Sequence, residues 1–180
     1  IPVDLRPTNE EEAYLFQDRL HRYLFEKKYG KVIGYKIGCT TKVMQEYLGI
    51  SNPCVGGVYD INVNHIQGNY KFNKFISPGV ECEIAVFLDK DLPPENYPYN
   101  RISVQEAVSD VMASIEIVDD RWVDYKSIDT LSLISDDFFA SGIVLSQPKH
   151  IQDTPDLFST VGHMTINGKQ VGKGLTGDIL

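Results

Sequence analysis

The chain has 180 residues, of which 42% are hydrophobic and 23% are charged, so we predict a single globular domain over residues 1–180. A formal net charge of −8 without a cluster of Lys and Arg argues against a nucleic-acid partner. The apolar runs are far shorter than the roughly 20 residues of a membrane span, and the N-terminus shows no leader pattern, so we expect a cytoplasmic chain with a small-molecule partner and no membrane partner.

The first predicted element is an amphipathic helix over residues 9–27. Thr8 is placed to cap it, and the acidic residues 10–12 suit the positive end of its dipole. Its apolar positions recur with helical spacing and predict a stripe that faces the core or an interface. That stripe consists of Ala13, Leu15, Phe16, Leu20, Tyr23 and Leu24.

The next predicted elements are a strand over Gly30–Cys39, a short helix over Thr41–Leu48 and a second strand over Gly56–Val63. Side chains alternate between the faces of a strand, so Lys36 shares its face with two glycines and no large neighbour fills the space around its amine. That arrangement is typical of a ligand cavity. It is equally compatible with a lysine that reaches from an edge strand to water.

The stretch GVECEIAVFL, residues 79–88, predicts a strand with Glu81 and Glu83 side by side on one face. Ala85 and Phe87 lie on the same face, which argues against full solvent exposure. Two like charges in a partly dry setting either raise one pKa sharply or require a cation. The alternative is an exposed, innocuous pair.

After a Pro-rich break, Ser103 and Glu106 form a capping-box pattern. It predicts a helix with Ala107, Val108, Val111, Met112 and Ile115 turned inward. Near the C-terminus, Asn167-Gly168 separates two alternating runs and predicts a tight hairpin. These elements together predict a mixed α+β domain.

Glu116 is a third carboxylate in apolar surroundings, where an unpaired charge would cost several kcal/mol. Three carboxylates without a neighbouring Cys or His suit a hard ion, Mg²⁺ or Mn²⁺. Lys36 can transfer a proton or bind a carboxylate. Asp60, which ends the second strand, is a second proton-transfer candidate, although an ordinary strand-end residue is the slightly favoured interpretation.

The other reactive side chains carry weaker signals. The histidines are scattered, with His21 on the polar side of the first helix, and no serine hydrolase, P-loop or Rossmann motif occurs. Cys39, Cys54 and Cys82 form no CxxC pair. We interpret them as ordinary buried thiols of a reducing compartment.

Three stretches together resemble one family. GYKIGCTTKVMQEYLGI, VECEIAVFLDKDLP and ASIEIVDDRWVDYK, in this order, look like the 2-keto-4-pentenoate hydratase and 4-oxalocrotonate decarboxylase group of the fumarylacetoacetate hydrolase superfamily. The resemblance extends over essentially the whole chain. It implies an α+β fold with a strongly curved β-sheet roll and flanking helices, assembled as a homo-oligomer or paired with a homologous subunit.

The resemblance also implies roles for individual residues. Glu81, Glu83 and Glu116 correspond to the ligands of Mg²⁺ or Mn²⁺, and Lys36 and Asp60 to residues placed near the substrate. The implied activity is that of a metal-dependent lyase, a hydratase or decarboxylase that acts on a short 2-oxo or 2-hydroxydienoic acid through a metal-stabilised enolate. An acylpyruvate hydrolase or oxaloacetate decarboxylase is the enzymatic alternative.

The chain departs from the family pattern in one segment. Asp137, Phe138, Phe139 and Ala140 stand where relatives carry an Asn-Ala-Ser-Ser-like sequence, and Ser141 follows as a predicted substrate-binding hydroxyl. Both ends also look short by the family's standards. These departures motivate a rival hypothesis, a non-catalytic metal-binding or scaffold subunit.

Overall fold

The computed structural model describes residues 2–124 and 127–178, which form helices and three β-sheets and confirm the predicted mixed α+β class. The chain divides into two compact units. Unit 1 comprises Ile1–Asn64, Gly68–Glu81 and Glu116–Ile143, and unit 2 comprises His65–Gln67, Cys82–Ile115 and Val144–Leu180. The single domain and the strongly curved roll stay predictions.

Helix α1, Glu10–Glu26, begins one residue later than expected because Asn9 caps it, not Thr8. The Asn9 side chain accepts a hydrogen bond from the Glu12 amide at 2.9 Å. Thr8 instead donates its amide and its hydroxyl to the Glu12 carboxylate, each at 2.8 Å. Together these contacts satisfy amides that a helix N-terminus otherwise leaves without partners.

The buried face of α1 is narrower than the predicted apolar stripe. Ala13 and Gln17 are its buried residues, whereas Leu15 and Tyr23 are 52% and 55% exposed. The Gln17 amide donates to the carbonyls of Val55 and Ile134 at 2.8 and 2.7 Å. A polar side chain therefore joins α1 to two other parts of unit 1.

Strands β1, Val32–Gly38, and β2, Cys54–Tyr59, form an antiparallel two-stranded sheet in unit 1. Between them lies helix α2, Lys42–Leu48, whose first turn is capped by the Thr41 hydroxyl. In β1 the apolar face of Ile33, Tyr35 and Ile37 is exposed, and the face that carries Lys36 is half-buried. Lys36 lies opposite Gly56 in the register of the two strands.

A second sheet has the strand order β3-β6-β5-β4, with β7 paired to β5. The expected strand over Gly56–Val63 is divided, because a 3-10 turn at Asp60–Asn62 separates β2 from β3. The strands of this sheet are β3 Val63–His65, β4 Pro78–Leu88, β5 Val108–Asp119, β6 Ala140–Leu145 and β7 Lys149–His150.

The helix predicted after Ser103 is wrong beyond its first turn. Helix α3 covers only Arg101–Gln105, with a capping box between Asn100 and Ser103, and β5 follows. In β5 the buried residues between 112 and 116 alternate and include Ser114 and Glu116, while Ile115 is 40% exposed. Because this strand buries polar residues, its apolar residues alone suggested a helical period.

The core of unit 1 lies between α1 and helix α4, Thr130–Ser135. Its buried members come from four separate parts of the sequence, so the packing depends on long-range contacts. They are Ala13, Cys54, Leu133, Ile134 and Phe138. Cys82 is exposed and Cys39 only partly buried, so the prediction of three buried thiols holds for Cys54 alone.

Unit 2 contains the predicted hairpin, which the structure confirms. Strands β8, Val161–Ile166, and β9, Lys169–Leu175, pair antiparallel around a two-residue turn. Asn167 and Gly168 have φ values of 51° and 77°, as a type I′ turn requires. Among the described residues, every helix is too short or too polar to cross a membrane.

Candidate active site

Three carboxylates predicted as metal ligands converge on adjacent strands. Glu81 and Glu83 lie two residues apart on β4, and Glu116 lies on β5, its neighbour in the sheet. One carboxylate oxygen from each residue lies within 4.8 Å of the others. This spacing matches three oxygen ligands around one divalent ion, because two oxygens each about 2.1 to 2.4 Å from an ion are at most twice that distance apart.

The face of β4 that carries the glutamates is wetter than the sequence indicated. Glu81 is exposed and Glu83 is half-buried, and Phe87, expected to shield them, is 58% exposed. The reason is that β4 ends the strand order of its sheet, so only one neighbouring strand covers its edge. The cluster thus combines one buried carboxylate with two that water reaches.

Glu116 is the buried member of the cluster, with 8% of its surface exposed. Its Oε1 atom forms an ion pair with the Lys36 ammonium nitrogen at 3.1 Å and accepts no hydrogen bond among the described residues, so the buried oxygen keeps unused acceptor capacity. Burial raises the pKa of the Glu116 carboxyl, and the Lys36 ammonium opposes that rise. A buried carboxylate oxygen of this kind fits a cation, because a divalent ion supplies the missing partner.

Lys36 points into unit 1 and does not reach from an edge to water. Its side chain is only 12% exposed, and its nitrogen lies 5.5 Å from the centre of the Phe138 ring. Gly56 lies opposite it on β2 and leaves room for the lysine stem. The structure therefore brings Lys36 together with Glu116.

The structure does not bring Asp60 to Lys36. Asp60 begins the 3-10 turn after β2, and its Oδ1 atom accepts hydrogen bonds from the amides of Lys31 and Ile61 at 3.1 and 2.8 Å. The register pairs Val32 with Tyr59, so Asp60 is near the opposite end of β1 from Lys36, about 13 Å away along the strand. A proton-transfer role for Asp60 stays a prediction.

Ser141, the predicted substrate-binding hydroxyl, contacts Arg121. The Arg121 guanidinium donates to the Ser141 hydroxyl at 3.2 Å and to the Ala140 carbonyl at 3.1 Å. It also donates to the Asp136 carbonyl and carboxylate at 2.8 and 3.1 Å. Arg121 thus holds both ends of the segment that departs from the family pattern, a role that the stretch ASIEIVDDRWVDYK alone did not indicate.

Residues 137–139 adopt an unusual backbone conformation. Asp137, Phe138 and Phe139 have φ values of 57°, 50° and 67°, all in the left-handed region. Each non-glycine residue held there costs on the order of 1–3 kcal/mol, so other contacts must hold the turn. We call these three residues the left-handed turn.

Asp137 supplies those contacts. Its buried carboxylate accepts from the Gly57 amide at 2.8 Å and from the Tyr59 hydroxyl at 2.9 Å, and it lies 2.6 Å from His21 Nε2. His21 was expected on the polar side of α1; its side chain is 14% exposed and faces Asp137. A separation of 116 residues between these two partners leaves no local signal in the sequence.

Comparisons with known proteins find related hydratases. No protein-family model matches the chain. A 2-hydroxyhexa-2,4-dienoate hydratase of Comamonas testosteroni is 32% identical over 168 residues, which cover 92% of this chain and 62% of the relative. A 2-keto-4-pentenoate hydratase of Burkholderia vietnamiensis is 28% identical over 145 residues, which cover 80% of this chain and 54% of the relative.

The fold is also similar to a solved structure. That of 4-oxalocrotonate decarboxylase from Pseudomonas putida G7, complexed with magnesium and adipate, matches with a TM-score of 0.82 at 22% identity. The match covers 95% of this chain and 64% of the decarboxylase. The chain therefore spans a little over half the length of the relatives just described. On these similarities, the chain is related in sequence to the 2-keto-4-pentenoate and 2-hydroxyhexa-2,4-dienoate hydratases, and its fold is that of 4-oxalocrotonate decarboxylase.

Proposed function

We propose that the chain forms the metal-binding and substrate-binding part of a divalent-cation-dependent lyase. Its substrate is a short 2-oxo or 2-hydroxydienoic acid, and the reaction is hydration or decarboxylation. The observation that carries the proposal is the convergence of three carboxylates within 4.8 Å, one of them buried beside an ammonium group. The proposal extends to Mg²⁺ or Mn²⁺ as the cation, to homo-oligomers or pairs with a homologous subunit, to a cytoplasmic location and to a curved sheet roll.

Glu81, Glu83 and Glu116 would hold the cation. When bound, the cation supplies positive charge that stabilises the negative charge developing on the oxygen of the substrate. The buried position of Glu116 keeps one ligand away from water, so that ligand needs little reorganisation when the cation arrives. The relatives with hydratase names and the decarboxylase complexed with magnesium support this assignment.

Lys36 is the proton-transfer group in the proposal. Its ammonium nitrogen is 3.1 Å from Glu116 Oε1, so a substrate beside the cation would lie within reach of the lysine. A lysine there can also bind the substrate carboxylate before the proton moves. Ser141, held by Arg121, is a second substrate-binding candidate.

The test is a calorimetric titration of the metal-stripped chain. We expect Mg²⁺ or Mn²⁺ to bind wild type, and oxalate, which mimics a chelating 2-oxo acid, to bind only after the cation. Glu116→Gln and Glu83→Gln lose both events, whereas the control Glu26→Gln, at the exposed end of α1, retains them. Folded wild-type protein that binds neither cation at millimolar concentration would overturn the proposal.

A panel of 2-hydroxydienoic and 2-oxo acids then separates hydratase, decarboxylase and acylpyruvate hydrolase activity. A product heavier than the substrate by one water indicates hydration, release of CO₂ indicates decarboxylation, and cleavage to pyruvate and a carboxylic acid indicates hydrolysis. Cation binding without turnover of any member by the isolated chain, together with co-purification of a homologous partner, would favour the scaffold hypothesis.

A further inference from the structure

Lys36 is held between two groups of different chemistry. The Glu116 carboxylate lies 3.1 Å from its nitrogen, and the centre of the Phe138 ring lies 5.5 Å from the same atom. An aromatic face attracts an ammonium group through its quadrupole, and more strongly where water is excluded. Phe138 is 7% exposed and the Lys36 side chain 12%, so this contact is largely dry.

The position of the Phe138 ring depends on the left-handed turn. Phe138 is the central residue of the turn, and its φ of 50° aims its side chain in a direction that an extended or right-handed backbone would not allow. The turn persists because the Asp137 carboxylate is tied to three donors from α1 and β2. The ring therefore cannot leave Lys36 while those ties hold.

Glycines on β1 and β2 show how closely the turn and Lys36 fit. A Cβ atom at Gly56 would lie 2.6 Å from the Asp137 carbonyl oxygen and 3.2 Å from Lys36 Cε. A Cβ atom at Gly38 would lie 3.4 Å from the edge of the Phe138 ring. The turn and the lysine stem thus pack against the same small patch of sheet. Because this packing is close, a shift of the turn would also displace the lysine.

From these contacts we infer that Asp137 and Phe138 are positioning residues for Lys36. Asp137 locks the left-handed turn, and the turn sets the Phe138 ring against the ammonium group, which keeps the lysine directed at Glu116. Without the ring, the flexible stem of Lys36 gains rotamers that carry the charge toward water. The inference deepens the proposed function, and it rests on that function for the catalytic role of Lys36. The claim that Asp137 and Phe138 hold Lys36 in place stands without it.

The first test reads the ring directly by NMR. The ε-methylene resonances of Lys36, assigned by their loss in Lys36→Arg, are expected to carry a ring-current displacement in wild type. Phe138→Met, which keeps side-chain volume without a ring, should abolish that displacement, and Phe138→Tyr should keep it. Asp137→Asn should reduce it, because a neutral amide binds His21 less strongly.

The control is Phe16→Met, which removes a ring that faces Arg19 at 5.8 Å and should leave the Lys36 resonances unchanged. Should Phe138→Met fail to fold by circular dichroism, Phe138→Leu takes its place, with Asp137→Asn as a second variant that retains the ring. The inference would be overturned if the Lys36 resonances show no ring-current displacement in wild type. It would also be overturned if they are the same in wild type and in the folded variant without the ring, and neither outcome depends on the proposed function.

The second test applies to a preparation that turns over substrate. Phe138→Met should lower kcat about tenfold with little change in KM, and it should add nothing in a Lys36→Ala background. A loss of the same size in both backgrounds would mean that Phe138 acts by some route other than Lys36. Absence of turnover in wild type would count against the proposed function and leave the NMR result to decide the inference.

Discussion

Lys36 Nζ lies 3.1 Å from Glu116 Oε1, with both side chains about nine-tenths buried. Removing one member of such a pair leaves an uncompensated buried charge, which costs about 3–5 kcal/mol of unfolding free energy. We expect Lys36→Met and Glu116→Gln each to show a loss of this order in metal-free urea denaturation. The double variant should lose less than the sum of the two, by on the order of 1–3 kcal/mol.

The same variants also predict changes in Mg²⁺ affinity. Lys36 and a cation compete for the Glu116 carboxylate, so Lys36→Met should bind Mg²⁺ more tightly than wild type does, while Glu116→Gln binds it more weakly. At a concentration 100 times the dissociation constant, a bound ion stabilises the folded state by about 2.7 kcal/mol. Weaker Mg²⁺ binding in Lys36→Met would contradict this competition.

Gly56→Ala should destabilise the chain by about 1–3 kcal/mol, because the added Cβ meets the Asp137 carbonyl at 2.6 Å and backbone must shift. Gly34→Ala, on the facing strand, is the matched control, since a Cβ there meets no described atom within 4 Å. Thermal unfolding of the two variants measures the difference. Equal melting temperatures would mean that the backbone of the left-handed turn shifts to accommodate the added Cβ atom at little cost in stability.

Arg121→Lys should lower the free energy of unfolding by about 1.5–3 kcal/mol, because an ammonium group cannot reproduce the planar set of donors that binds Asp136, Ala140 and Ser141. Burial raises the pKa of Asp136, and Arg121 opposes that rise, so a weaker partner leaves the carboxylate less well compensated. The control is Arg22→Lys, in an exposed helical pair with Asp18 that is worth under about 1 kcal/mol. Chemical denaturation that finds the two changes equivalent would remove the structural role given to Arg121.

The buried hydroxyl of Tyr59 leads us to expect a loss of folding stability at alkaline pH. Burial, and next the nearby Asp137 carboxylate, raise the pKa of the Tyr59 hydroxyl far above its ordinary value. Above about pH 10 the unfolded chain releases this proton and the folded chain keeps it, so unfolding becomes more favourable as pH rises. The slope between pH 10 and 11 should be steeper for wild type than for Tyr59→Phe.

The matched control for that slope is Tyr97→Phe, a change at a tyrosine that is 79% exposed. It should leave the wild-type slope unchanged. A Tyr59→Phe slope identical to wild type would mean that water reaches the Tyr59 hydroxyl in the folded state.

Local patterns were sufficient for part of the fold. The Asn167-Gly168 turn and the amphipathic spacing of α1 depend on neighbouring residues, and both were predicted. The start of β5 was mistaken for a helix because burial of Ser114 is decided by the strands around it and not by its own hydrophobicity. Tertiary context overrides local preference at such positions.

The candidate site divides in the same way. The three glutamates were predicted from the demand of carboxylates in apolar strands for a partner and from the family resemblance; the burial that the first argument assumes holds for Glu116, whereas Glu81 is exposed and Glu83 half-buried. Asp137 and His21 were missed because their contact joins residues 116 positions apart. A role for Asp60 was implied by the family resemblance, and the β1 and β2 register puts it well away from Lys36.

Unit 1 is built from three separate segments of the chain, and this arrangement affects how it folds during translation. Helix α1 and strands β1 and β2 leave the ribosome before the partners that cover their inner faces, because α4 and the left-handed turn lie more than 70 residues later. At 5–20 residues per second, roughly 4–14 s pass before those partners emerge. Throughout that interval Lys36 lacks both Glu116 and Phe138, and the core residues Ala13 and Cys54 lack the later residues that bury them.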